Sequence, residues 1–173
     1  HALISYLQES LHLSDSNIFA TGMSNGGDMS YMLACQSNVI KAIAPVAGCM
    51  MKHIQETCQP NSSIPVLEIH GTEDDVTLVQ GDMENQDGWG AYLPLDDTIQ
   101  FWVEHNSLEE NQIEIVEDLD SSDGSTVKFH RYYSNSSSAE VWLYEVDGGG
   151  HDWPGAFGNK DIDASEEVWT FFS

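Results

Sequence analysis

Three short apolar runs, each closed by a small residue or a glycine, constrain this chain more than any other feature. Asn17–Thr21 ends at Gly22, Ala42–Val46 at Ala47-Gly48, and Val66–Ile69 at His70-Gly71. Each is too short for a helix and too continuous for a sheet with one wet face, so parallel strands covered on both sides are predicted. Helical or irregular stretches between them supply the crossovers that such strands require. Leu3, Leu7 and Leu11, with Ile4 beside them, predict an amphipathic helix over residues 2–12, broken at Ser14-Asp15. Met29, Met32 and Leu33 mark a second helix, and Ile99, Trp102 and Val103 a third. Residues 77–97, rich in Gly, Asp and Gln, read as a surface segment carrying Trp89 and Tyr92. Ile113–Leu119 and Thr126–Tyr133 flank Ser121-Ser122-Asp123-Gly124, a hairpin signal, whereas Asn135–Ser138 reads as a polar loop. Val141–Val146 is the last strand and runs into Gly148-Gly149-Gly150. Asp163, with Glu166 three residues on, caps a closing helix that contains Val168, Trp169, Phe171 and Phe172. With no repeat and no linker, residues 1–173 form one α/β domain.

Charge excludes several functions. The chain has 29 acidic and 5 basic side chains, a net charge of −24. So few cations cannot neutralise a run of phosphates, which argues against nucleic acid and against anionic membrane surfaces as partners. No apolar run approaches the length of a membrane span. An acidic surface fits good solubility or adaptation to salty water. With 40% apolar residues the chain is not a disordered acidic tail. Cys35, Cys49 and Cys58 lack zinc-site spacing; either one disulfide with a free thiol or three reduced thiols fits them, with Cys35 or Cys49 as partner to Cys58.

Gly22-Met23-Ser24-Asn25-Gly26 matches G-x-S-x-G where a strand pattern becomes a helical one. That setting suits a nucleophile elbow, in which both glycines are expected to leave room around the serine hydroxyl. A serine needs a base, and the base needs an orienting carboxylate. His151 follows three glycines after the last strand, and Asp74 and Asp75 follow the third, so Ser24, Asp74 or Asp75, and His151 occur in the order Ser…Asp…His of α/β-hydrolases. The N-terminus of the helix after Ser24 offers N–H groups to developing negative charge. His70-Gly71 reads as structural, as do His12, His53, His105 and His130. Asp118, Asp120 and Asp123 fail calcium-loop spacing, with Phe129 where the bidentate glutamate would stand.

The segments A-T-G-M-S-N-G-G-D-M-S-Y, A-P-V-A-G, P-V-L-E-I-H-G-T-E-D-D and G-G-G-H-D-W-P-G resemble the polyhydroxybutyrate depolymerase-like esterases, a group of α/β-hydrolases that includes feruloyl and acetylxylan esterases. The resemblance implies a mostly parallel sheet flanked by helices. It implies Ser24 as nucleophile, His151 as base, Asp74 ahead of Asp75 as acid, the Asn25 N–H as oxyanion donor and Trp153 as the aromatic of the substrate site. It also implies a secreted or periplasmic protein and hydrolysis of polymeric or small esters with no metal or organic cofactor. The family begins with further strands and an H-G loop carrying a second oxyanion donor, upstream of residue 1. The expectation is therefore the C-terminal catalytic portion of a longer esterase, lacking the N-terminal strands, with a sheet edge through which two copies could pair. A prolyl-oligopeptidase-like or dienelactone-type hydrolase, or a folded but inactive module, are the alternatives.

Overall fold

A computed structural model describes residues 2–14 and 17–173; His1 lies outside them, as does Asp15 of the expected break at Ser14-Asp15. The elements run α1 (Ala2–Leu11), β1 (Phe19–Met23), α2 (Asn25–Gln36), β2 (Ala42–Val46), α3 (Lys52–Gln55), β3 (Val66–Gly71), α4 (Leu95–His105), β4 (Glu110–Ile115), β5 (Thr126–Ser134), β6 (Ser137–Asp147) and α5 (Ala164–Phe172). They form one six-stranded sheet in the order β1-β2-β3-β6-β5-β4. β1, β2, β3 and β6 are parallel, and β5 and β4 continue antiparallel. The three apolar runs thus become three adjacent strands, and β2 and β3 are buried throughout.

Period-two alternation sends each strand's side chains to two separate cores. Ile43, Val66, Val141 and Leu143 face α2 and α4, where Tyr31, Ile99 and Trp102 complete the packing. Ala44, Val46, Leu67, Ile69, Val127 and Val146 face the other way, onto Ala164 and Val168 of α5. α4 buries Leu95, Thr98, Ile99, Trp102 and Val103, a stripe at helical spacing. α5 starts on its cap as its sequence predicts, the Asp163 carboxylate accepting from the N–H groups of Ser165 and Glu166.

Several details depart from the sequence pattern. α2 buries Gly27, Ser30, Tyr31 and Ala34, while Met29 is exposed. The reason is close packing: a Cβ on Gly27 would stand 2.8 Å from Gly48 Cα, so small residues face the sheet and the methionine faces out. α1 forms where expected, yet none of its residues is buried; Ile4 alone of its side chains packs on the first core, and Leu3 and Leu11 stay exposed. The hairpin strand β4 lies earlier than the run Ile113–Leu119, because the connection to β5 is long, with Gly124 at φ +80° and Asp123 holding Ser125. Asn135–Ser138 is not a free loop: Ser134 pairs with Ser137, so a tight turn joins two long strands. In the segment 77–97 Tyr92 is buried rather than exposed, and α4 already starts at Leu95.

The open choice of cysteine pairing falls on Cys35–Cys58, whose Cα atoms are 4.7 Å apart; Cys49 is free and buried. The bridge ties the end of α2 to the segment before β3, closing a loop for which chain entropy suggests roughly 3 kcal/mol. Among the described residues no helix is long and apolar enough to cross a membrane.

Candidate active site

The parallel strands bring the ends of β1, β3 and β6 to one side of the sheet, where open α/β sheets carry their sites. Ser24 sits between β1 and α2 with φ 56° and ψ −121°, a left-handed conformation that a non-glycine residue adopts only under structural constraint. Its N–H donates to the Val46 carbonyl at 2.9 Å, and its own carbonyl accepts from Asp28 N–H at 3.0 Å. Gly22 explains how so tight a turn closes: a Cβ there would stand 2.7 Å from the Gly26 backbone. At Gly26 itself a Cβ would meet open space. The glycine requirement is thus one of strand-to-helix contact at Gly22, not of crowding at the serine hydroxyl from both sides. Asn25 is the first residue of α2, where N–H groups have no intrahelical acceptor.

Asp74 follows β3 and His151 follows β6, neighbouring strands in the sheet. His151 Nδ1 is 2.8 Å from Asp74 Oδ2. The other carboxylate oxygen, Oδ1, accepts from the N–H groups of Val76 and Thr77 at 2.8 and 2.7 Å, which fixes its orientation. Asp74 is buried and His151 is partly exposed. A proton on Nδ1 leaves Nε2 with the lone pair in the neutral ring. Of the two candidate carboxylates, Asp75 is exposed, and it is Asp74 that bonds the His151 imidazole. The close approach of the two loops explains Gly71, where a Cβ would fall 2.3 Å from the Gly149 carbonyl oxygen.

Ser24 opens onto a cavity of about 340 Å³ lined by Asp28, Cys49, Asp75, Val76, Thr77, Asp87, Trp89 and Tyr92. That volume lies in the range of small-molecule sites. Cys49 is no competing nucleophile. Burial, and then the Asp28 carboxylate that accepts from its N–H and thiol, push its thiol far above the ordinary range.

No family model matches the chain. It is 28% identical over 139 residues to "Feruloyl esterase B" of Piromyces equi, covering 78% of this chain and 24% of the relative. A "Probable feruloyl esterase C" of Aspergillus niger is 28% identical over 173 residues, 99% of this chain and 55% of the relative. That of Aspergillus terreus is 34% identical over 84 residues, 48% and 30% of the two chains. The crystal structure of esterase PE8 superposes with a TM-score of 0.53 at 17% identity, over 88% of this chain and 50% of the other. By sequence the chain is similar to feruloyl esterases, and by fold to an esterase. The chain spans about a quarter to just over half of the length of these relatives.

The aromatic wall of the cavity is not the one the motifs suggest. Trp153 is absent from the lining; its indole N–H donates to Ser165 Oγ, and its ring packs with the α5 core. Trp89 and Tyr92 line the cavity instead. Their segment is organised by Asp82, whose carboxylate accepts from the N–H groups of Gln86 and Asp87 and is held below its ordinary pKa by such bonds. The Tyr92 hydroxyl accepts from Leu78 N–H at 3.1 Å, and Met51 and Asp82 both bridge to Tyr92. Sequence reading missed this because period and propensity see only a polar segment. The available signal was Trp89 and Tyr92 themselves, two aromatics in a stretch otherwise rich in Gly and Asp.

Proposed function

We propose that the chain is a serine esterase working through Ser24, His151 and Asp74. The observation that carries this is the 2.8 Å bond from His151 to a buried, doubly anchored Asp74, with Ser24 on a strained elbow at the same end of the sheet. Ser24 Oγ attacks the ester carbonyl while His151 Nε2 takes its proton. The Asn25 N–H binds the oxyanion. His151 then returns the proton to the departing alcohol, and water, activated by the same base, releases the acid from the acyl-enzyme. No step calls on a metal or organic cofactor.

The substrate is a carboxylic ester whose acyl or aryl group stacks beside Trp89 and Tyr92, and Trp153 supports the loop after His151 rather than the substrate. Feruloyl sugar esters fit this best, ahead of acetyl sugar esters and hydroxybutyrate oligomers, since two aromatic faces suit an aryl acid. The names of the relatives agree. Residues 1–173 are, on this reading, a catalytic portion of a longer esterase. Support comes from the full-length alignment to 55% of a relative and from β1, which pairs with β2 alone among the described residues. Further strands of that polypeptide would cover the β1 edge; a two-protomer mass for the isolated 173 residues would place a second copy there. The disulfide supports a secreted or periplasmic setting.

The test is a panel of methyl ferulate, an acetylated sugar and a hydroxybutyrate ester, run on the protein and on Ser24→Ala. Turnover that depends on Ser24 and favours the aryl ester is expected, and Trp89→Ala should lower kcat/KM for that ester about tenfold. Turnover unchanged in Ser24→Ala would overturn the assignment.

A further inference from the structure

Behind Asp74 lies a buried group of side chains to which the hydrolytic steps assign no part. Glu68 and His70 alternate with Val66 on the face of β3 that looks toward α2, and both are almost fully buried. The His70 ring meets an acceptor at each nitrogen: Nδ1 is 3.1 Å from Glu68 Oε1, and Nε2 is 2.8 Å from the Thr77 carbonyl oxygen. A carbonyl can only accept, so Nε2 carries a proton. Glu68 already accepts from the Tyr31 hydroxyl at Oε2 (2.7 Å) and from Gly48 N–H at Oε1 (3.4 Å). Two donors on one carboxyl favour its ionised form, and an ionised Glu68 draws a second proton onto Nδ1. His70 Nε2 also stands 3.7 Å from Asp74 Oδ2, the oxygen that is 2.8 Å from His151 Nδ1.

We propose that His70 is a buried imidazolium, paired with Glu68, that positions Asp74 and shares its carboxylate with His151; this rests on Asp74 and His151 being the acid and base of the esterase. The positioning is mechanical and electrostatic. His70 holds the Thr77 carbonyl while Asp74 holds the Thr77 N–H, so the turn from Asp74 to Thr77 is clamped from both sides. A positive charge on the far side of Asp74 also disfavours a second one on His151. The groups that face this centre are Tyr31 and Asp28 from α2, Cys49 from the loop after β2, Glu68 from β3, Asp74 from the loop after β3, and His151 with its neighbour Asp152 from the loop after β6. Burial alone would lower the His70 pKa; the Glu68 bond and charge, the Thr77 carbonyl and Asp74 outweigh it and raise it. Burial raises the Glu68 carboxyl, and the bonds from His70, Tyr31 and Gly48 act against that rise.

The experiment is nitrogen-15 NMR of the imidazoles in the 173-residue protein, with ester kinetics in parallel. In the wild type, His70 is expected to show two protonated nitrogens from about pH 6 to 8, a range in which an ordinary histidine loses its charge. In Glu68→Gln, His70 becomes neutral, and the His151 midpoint and the acid limb of kcat/KM both rise by about one pH unit. His70→Gln gives the same rise; Tyr31→Phe, which removes a donor but no charge, gives little. A neutral His70 in the wild type overturns the proposal, even if Glu68→Gln fails to fold. So does a His151 midpoint that stays put in His70→Gln, since a merely structural residue would lower stability and leave it unmoved. The NMR arm needs no turnover: activity that persists in Ser24→Ala would sink the esterase reading and leave the His70 charge measured on its own.

Discussion

The parallel side of the sheet and its antiparallel side solve the same problem, placing polar groups on strands, in opposite ways. On β3 the polar groups are inside: Glu68, His70 and, just beyond, Asp74 are buried, and each has a hydrogen-bond partner. On β4, β5 and β6 they are at the surface. Lys128 pairs with Glu145 and Arg131 with Glu140, Lys160 pairs with Asp120 between the flanking loops, and β4 is exposed along its whole length. Gly22, Gly27, Gly48 and Gly71 sit where two backbones touch beside the parallel strands. Buried polar groups are costly to disturb and exposed ion pairs are not, so function concentrates on the side that tolerates least change.

The largest difference should appear in catalysis. Ser24→Ala is expected to reduce ester turnover by roughly 10⁶-fold while leaving the melting temperature within a few degrees, as read by initial rates and thermal unfolding. Breaking the disulfide by Cys35→Ser should cost about 3 kcal/mol in urea unfolding, with catalysis per folded molecule unchanged. A loss of turnover there would tie the bridge to the site and blur the contrast. Gly71→Ala, which drives a Cβ into the Gly149 carbonyl, should cost about 2 kcal/mol and also displace the His151 loop, giving at least tenfold lower kcat.

The smallest effect belongs to the surface pair. Lys160 and the Ser122 bonds hold the Asp120 carboxyl at about 2. A lowered carboxylate pKa stabilises the fold above the unfolded value near 4 and loses that support as pH falls toward 2. Lys160→Ala should therefore lower the melting temperature at pH 7 only slightly, because the pair is exposed, and that small difference should disappear as the pH falls from about 4 to 2. A large loss at neutral pH would show that the antiparallel side is not as tolerant as its exposed ion pairs indicate. His70 runs the other way: its raised pKa supplies stability below about pH 6.5 that is lost as pH climbs through the folded value, and His70→Gln should flatten that alkaline decline.

What was legible in the sequence follows the same division. Short apolar runs ending in small residues identify β2 and β3, which are buried throughout, and also the edge strand β1, which is partly exposed; the polar Glu68 and His70 of β3 did not hide its pattern because they are buried too. The order Ser24, Asp74, His151 was readable because each residue lies within four positions of a strand end. Trp89 and Tyr92 were placed on the surface because their segment has neither period; its shape comes from Asp82 and two isolated bridges, which no local pattern encodes. The choice of Cys35 over Cys49 was equally hidden, since it depends on where α2 ends relative to β3. Glu68 and His70 read as strand residues; only the α2 packing shows that Tyr31 and Thr77 make them one connected group.

The most direct test is labelling of the purified 173-residue protein with a fluorophosphonate, read by intact mass. One adduct per chain, lost in Ser24→Ala and in His151→Ala, is the result predicted for a serine activated by the base that Asp74 holds. A folded protein that takes no adduct, or an adduct that survives Ser24→Ala, would contradict it.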